Sequence, residues 1–227
     1  MRALRFIAPF ACLLLAAFDG CRPAQSPKVT AVFNNNLPIE NNSLPITELG
    51  KFTISTTFSK KRKETFIVGG VTVSDFVPQF LLTFDGSTDP VSGKACLAAK
   101  TVELTLNYKP TVYIASQYKP GSCRYKEVLL HEVRHVNTDI ITFKEYLPII
   151  QADMERAAAT LHVMGPLDKN EVDPAREKAA AVLKEALTAS VDKVSAVLHQ
   201  RQQAIDTRAE YLRSSRACPH EPILGAP

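Results

Sequence analysis

The chain of 227 residues contains no tryptophan, and aromatic residues make up only 7% of it. It offers no aromatic platform on which bases could stack, and no glycine-rich phosphate loop. Nucleic-acid and nucleotide binding therefore lack their usual signatures. Excess charge of one sign is also small, with a net value of +4. The single basic run, Lys60-Lys61-Arg62-Lys63, lies between two strand-like segments and reads as a solvated hairpin tip, with no nucleic-acid partner. No internal repeat is evident. The apolar run from Phe6 to Phe18 is broken by Pro9 and is too short to span a bilayer as an anchor.

That run is preceded by Arg2 and Arg5, the pattern of a signal peptide over residues 1–20. The expectation is export to the periplasm or to the outer-membrane or cell surface. Phe18-Asp19-Gly20-Cys21 resembles a bacterial lipobox, with Asp19 the poor fit. Lipidation at Cys21 and simple secretion both stay open, and a lipid there is the only membrane attachment expected. Arg22 stands where inner-membrane lipoproteins usually carry Asp. Of the five cysteines, Cys12 would leave with the signal. Runs 101–107 and 111–116 are expected to form a hairpin turning at Tyr108–Pro110, which brings Cys96 to Cys123 as a disulfide. Lipidated Cys21 would leave Cys218 unpaired; free Cys21 could bridge to it.

Residues 29–116 read as β structure. Val29–Phe33, Phe52–Phe58, Thr65–Val73 and Phe80–Phe84 are rich in Val, Ile, Phe and Thr. Asn34–Asn36, Asn41-Asn42, Gly69-Gly70 and Asp85-Gly86 punctuate them. From Arg124 the period changes to three and four, through Leu129, Val133, Val136, Ile140, Phe143, Leu147 and Ile150. This predicts a helix to about Val163, kinked or split at Pro148. Asp173-Pro174 starts a second helix reaching about Arg213. With about ten residues between them, the two helices are expected to pair antiparallel.

His131-Glu132-Val133-Arg134-His135 lies on the first helix. Residues four apart project from one face, so His131 and His135 can hold one zinc ion. Glu132 beside them suits a general base that takes a proton from zinc-bound water. Four residues are candidates for a third ligand. Glu155 has a suitable sequence spacing but lies about 30 Å further along an unbroken helix. Asp139 is better placed to orient a ligand than to join both histidines. Counting inward from the helix ends sets His131 level with Asp206, His135 with Gln202 and His199 with Asp139, so Asp206 or His199 could complete the site. Against this, the apolar stripe suggests that the histidines face away from the second helix, into a cleft. Arg134 is expected to pair with a carboxylate. Tyr113 and Tyr146 are near in sequence without a defined role, and Asp75, Asp85 and Asp89 read as turn residues.

Val112-Tyr113-Ile114-Ala115, Gly121-Ser122-Cys123-Arg124-Tyr125 and Leu130-His131-Glu132-Val133-Arg134-His135-Val136 resemble the core of the bacterial predicted secreted zinc-dependent proteases. Ile205-Asp206-Thr207, Glu210-Tyr211 and Cys218 resemble that family's C-terminal end. The resemblance spans about residues 96–218 and implies metallopeptidase activity at His131, Glu132 and His135. The expected fold is α+β: an antiparallel β portion over 21–95, then a zinc-protease domain over 96–218 with a hairpin and two long antiparallel helices, then a tail over 219–227. The expected partner is a peptide or protein substrate, with Thr111–Ser116 as the edge strand that pairs with it. The rival expectation is a non-catalytic envelope lipoprotein that binds a partner through its β portion.

Overall fold

A computed structural model describes Cys21, residues 25–52 and residues 69–221. The signal segment, the Lys60–Lys63 tip and all but the first residue of Phe52–Phe58 lie outside the described residues.

One strand organises the sheet. Strands β1 (Lys28–Asn35), β2 (Ile39–Asn41), β3 (Gly70–Thr88) and β5 (Met164–Leu167) all pair with β4 (Ala95–Ile114). Along β4 the side chains alternate between faces. Val102, Leu104, Leu106, Tyr108, Val112 and Ile114 are buried, while Glu103 and Lys109 on the other face are exposed. The sheet is thus covered on one side only.

The expectation of an antiparallel β portion is corrected. β1 and β2 run parallel to β4, whereas β3 and β5 run antiparallel to it, giving a mixed sheet. Residue patterning reports which face is buried and carries no information on strand direction. The expected hairpin is also displaced. Tyr108–Pro110 is not a turn; β4 runs straight through it and forms a long hairpin with β3 around residues 89–94. Pro110 is tolerated because of where its nitrogen points. The Tyr108 carbonyl accepts from the Asn36 amide at 3.0 Å, so Pro110, two residues on, faces the same edge. There β1 has ended opposite Tyr108 and β2 begins opposite Thr111, so no ladder bond is lost. Residues 111–113 are paired on both sides and are no edge strand. Among the described residues the sheet has two outer edges, β3 on one side of β4 and β1, β2 and β5 on the other.

After the short α1 (Ile46–Leu49) come two long helices: α2 (Cys123–Ala159) lies on the buried face of the sheet, and α3 (Val172–Ile205) packs against α2. Phe143 of α2 stacks on Phe76 at 4.2 Å between ring centroids and leans on Phe33 and Tyr108. Truncating such a buried ring costs about 3–5 kcal/mol. Leu183, Leu187 and Val194 are the buried stripe of α3. Along the α2–α3 seam the partners descend as α2 ascends: His135 with Gln202, Thr142 and Glu145 with Arg201, Asp153 with Ser190. The expected break at Pro148 is absent, and α2 continues through it. A last helix, α4 (Arg208–Ala217), returns along the start of α2. No described helix is long and apolar enough to cross a membrane.

The disulfides are Cys21–Cys96 and Cys123–Cys218. The Cys96–Cys123 pairing is corrected for a geometric reason. Without a turn at Tyr108, Cys96 and the residues leading to Cys123 occupy opposite ends of β4, roughly 60 Å apart. Cys218 therefore does not depend on the state of Cys21; Cys96 does. Peptide mapping without reduction should recover Cys21 linked to Cys96 and Cys123 linked to Cys218. Replacing Cys123 and Cys218 by serine should cost about 2–4 kcal/mol of stability in denaturant unfolding; any Cys96–Cys123 peptide would contradict this sheet.

Candidate metal centre

The start of α2 is tightly fixed. Gly121 has φ of +87°, a conformation few other residues adopt. Ser122 then caps the helix, its hydroxyl accepting from the Tyr125 amide at 3.1 Å. The Glu221 carboxylate accepts from the Cys123 and Arg124 amides at 3.0 and 2.8 Å. About two turns further on, His131 and His135 point at Asp206, the residue that closes α3.

His131 Nε2, His135 Nε2 and Asp206 Oδ1 stand 3.1 Å from one another in all three pairings. Zinc–ligand bonds of about 2.0–2.1 Å in a tetrahedron require ligand edges of about 3.3 Å. The triangle therefore has the size and the N, N, O donor set of a zinc site, and these three residues form a group able to hold a metal ion. Expectation and structure differ on orientation: the histidines face the end of α3, not away from it.

Hydrogen bonds beyond the triangle fix the tautomer of one ring. The Gln202 amide group donates to the His135 carbonyl at 3.1 Å and to Asp139 Oδ1 at 2.5 Å. Its oxygen is thereby turned toward His135 Nδ1, which donates to it. His135 Nε2 then presents its lone pair to the triangle. His131 Nδ1 lies between the Arg134 guanidinium, a donor at 3.1 Å, and Glu210 Oε1, an acceptor at 3.4 Å. His131 Nε2 faces the same point as His135 Nε2 and Asp206 Oδ1, where the three atoms could share a cation.

The electrostatics carry the same message. Burial opposes charge on His135, but the hydrogen bond and charge of Asp206, with Glu132 and Gln202, outweigh it and push its pKa up to about 9. Burial likewise opposes ionisation of Asp206, yet its bonds to His131 and His135 hold it well below the usual carboxylate range. Hydrogen bonds from Arg213 and Arg134 keep Glu210 low as well. The pocket is built for positive charge.

Glu132 is 4% exposed. Its Oε2 accepts from the Thr72 hydroxyl at 2.9 Å. Burial raises its pKa, against the pull of His135, His131 and Thr72. β3 reaches it because Gly70 has no side chain; a Cβ there would stand 2.5 Å from Val128 and 3.0 Å from Glu132. Tyr211 of α4 lies 6.1 Å from the His131 ring between centroids and hydrogen-bonds Asp206. Burial, then the charges of Asp206 and Glu132, hold its phenol protonated.

Of the four third-ligand candidates, only Asp206 joins the histidines. Asp139 stands behind them, accepting from Gln202 and from Tyr108 at 2.8 Å. His199 is exposed on α3, and Glu155 accepts from Gln151 at the far end of α2. Arg134 pairs with Glu210. Tyr113 stacks on Phe52 and Tyr146 is half-buried against the core. Asp85 pairs with Lys100, Asp89 holds the turn at Val91 and Ser92, and Asp75 is exposed on β3. Sequence reading gave no role to Thr72, Glu210 or Tyr211, and gave Gln202 only its level beside His135. Glu210 and Tyr211 follow a helix break that ends the period, and Thr72 comes from the sheet.

No protein-family model matches the chain, and no curated protein or solved structure matches it.

Gln202→Ala should weaken zinc binding about 10–100-fold, read by competition against a chromophoric chelator, with helix content unchanged. In metal-free protein the His135 pKa lies above the unfolded value of about 6.5. Its charged form thus adds stability that is complete below about pH 6.5 and lost as pH rises through about 9. The melting temperature of chelator-treated wild type, measured against His135→Gln, should fall across that interval; a flat difference would contradict it.

Proposed function

We propose that this chain is an exported zinc-dependent metallopeptidase in which His131, His135 and Asp206 hold the ion and Glu132 is the general base. The observation that carries the reading is the triangle of two imidazole nitrogens and one carboxylate oxygen at 3.1 Å, with a buried glutamate next to His131 in sequence. The resemblance of residues 96–218 to bacterial secreted zinc-dependent proteases agrees with it. So do two disulfides, which persist in oxidising compartments.

Zinc bound there would supply a Lewis acid for the scissile carbonyl and a water acidic enough to attack it near neutral pH. The chain's own residues do the rest. Glu132, its pKa raised by burial, takes the proton of the attacking water and delivers it to the leaving nitrogen. The Thr72 hydroxyl holds one oxygen of that carboxylate and leaves the other for the proton. Gln202 keeps the His135 imidazole in the ligating tautomer, and Glu210 and Arg134 hold the His131 ring in place. The Tyr211 phenol, kept neutral, donates to Asp206 and steadies that ligand.

An extended polypeptide suits the approach to this site. The Gly69 carbonyl accepts from the Ala115 amide on β4. Alternate residues Gly70, Thr72 and Ser74 therefore turn their backbone groups to the outer edge of β3. That edge passes Glu132 at Thr72, and Pro78 further along blunts it. A substrate strand added at residues 70–74 would bring a peptide bond past the base.

Glu132→Gln should lower hydrolysis of a quenched-fluorescence peptide pool about 10²–10⁴-fold while retaining one zinc per chain by elemental analysis. Turnover at the wild-type rate in that variant would remove Glu132 from the mechanism.

A further inference from the structure

Resting on the assignment of His131, His135 and Asp206 as ligands, we propose that the Cys123–Cys218 disulfide sets the metal affinity of the site, so that the centre is fully assembled only in the oxidised protein.

The ligands come from two stretches of chain that meet at one end of the helix pair. His131 and His135 sit on α2, and Asp206 begins the segment that turns into α4. Everything after Asp206 that touches the site, Glu210 on His131 and Tyr211 on Asp206, is carried by α4. That helix has ten residues and none of them is buried. A helix so short is marginal by itself in water. Beside the ligands its contacts with α2 are ion pairs whose arginines are exposed, Arg134 with Glu210 and Arg213 with Glu127. Such pairs are individually weak.

What holds α4 in place is its far end. Cys218 is 2% exposed and bonded to Cys123, about 12 Å before His131 along α2. Around this bond the buried Arg124 guanidinium donates to the carbonyls of Ser214 at 2.7 Å, Ser215 and Cys218 at 3.3 Å, and Glu221 at 2.8 Å. These carbonyls gather at one point only while the segment stays closed on α2. The disulfide therefore converts docking of α4 from an excursion of a tethered segment into an anchored contact, and Glu210 and Tyr211 stay in register with the ligands they orient. The Cys21–Cys96 bond lies at the start of β4, outside this arrangement, and serves as an internal control.

Cys123 is exposed, so an external thiolate can reach its sulfur. A dithiol that gives up two electrons and two protons, becoming a disulfide itself, would leave Cys123 and Cys218 as thiols. The metal site would then lose its anchor without any change in its ligands.

The test compares zinc dissociation constants, measured with zinc alone against a chromophoric chelator. Three proteins are used: wild type, Cys123→Ser/Cys218→Ser and Cys21→Ser/Cys96→Ser. Serine avoids thiols that would bind zinc themselves. The first pair should weaken binding about 10–100-fold, the range for loss of groups that orient metal ligands, and the second should leave it within twofold. Equal affinity in all three, or equal weakening by both pairs, overturns the proposal while leaving the ligand assignment intact. Wild type that takes up no zinc is a different failure, overturning the ligand assignment and this inference with it. Should the first serine pair not fold, the Cys21→Ser/Cys96→Ser protein is reduced and its two freed thiols, Cys123 and Cys218, are alkylated. Zinc binding weakened about tenfold or more supports the proposal, and unchanged binding overturns it.

Discussion

The contact on which the site depends is one carboxylate oxygen of Asp206 facing two imidazole nitrogens at equal distance. A carboxylate that is 15% exposed at its side chain would ordinarily be costly to keep ionised. Here its neighbours are arranged to keep it charged. His135 turns its protonated nitrogen outward to Gln202, and both imidazoles present Nε2 inward. Gln202 is in turn oriented by Asp139, and Asp139 by Tyr108 of β4. The polarity of the centre is thus set by a chain of hydrogen bonds reaching back to the middle strand of the sheet. Such a chain is worth keeping in an otherwise apolar core only where every member is satisfied.

Much of this site was legible in the sequence, and the physical reason is helical regularity. Two histidines four apart on a strongly periodic segment must share a face. Counting residues inward from the two helix ends placed Asp206 level with His131, because antiparallel helices of similar rise keep their register over several turns. The same count set His199 level with Asp139, but Gln202 occupies that contact and His199 is exposed. A level along the axis does not specify an angle around it. Pro148 misled in the opposite direction. Its local cost was overridden by packing, since the buried Ile150, Met154 and Ala158 continue the same apolar face beyond it.

The sheet was less legible. Alternation in β4 identifies its buried face without revealing that a strand from far earlier in the chain lies parallel beside it. A tyrosine, a lysine and a proline in succession look like a turn when read locally. They form continuous strand because β1 and β2 leave a gap at Pro110 and because Tyr108 is needed in the core. Reading a turn there brought two cysteines together that the extended strand holds apart. A single local error about backbone direction therefore spread to the cross-linking.

The central place of β4 also fixes an order of events. β1 aligns Lys28 with Thr101 and β2 aligns Ile39 with Thr111, while β3 has no other described strand to pair with. A chain emerging from its N-terminus carries three strands that cannot complete a ladder until about residue 114 has followed them. Assembly must wait for this late template: β3 closes on it through a short hairpin, whereas β1 and β2 must close long loops, which is slow. Under the export proposed above, a chain threaded unfolded through a membrane would benefit from that delay. Its earlier half cannot lock into a sheet before the strand that organises it has arrived.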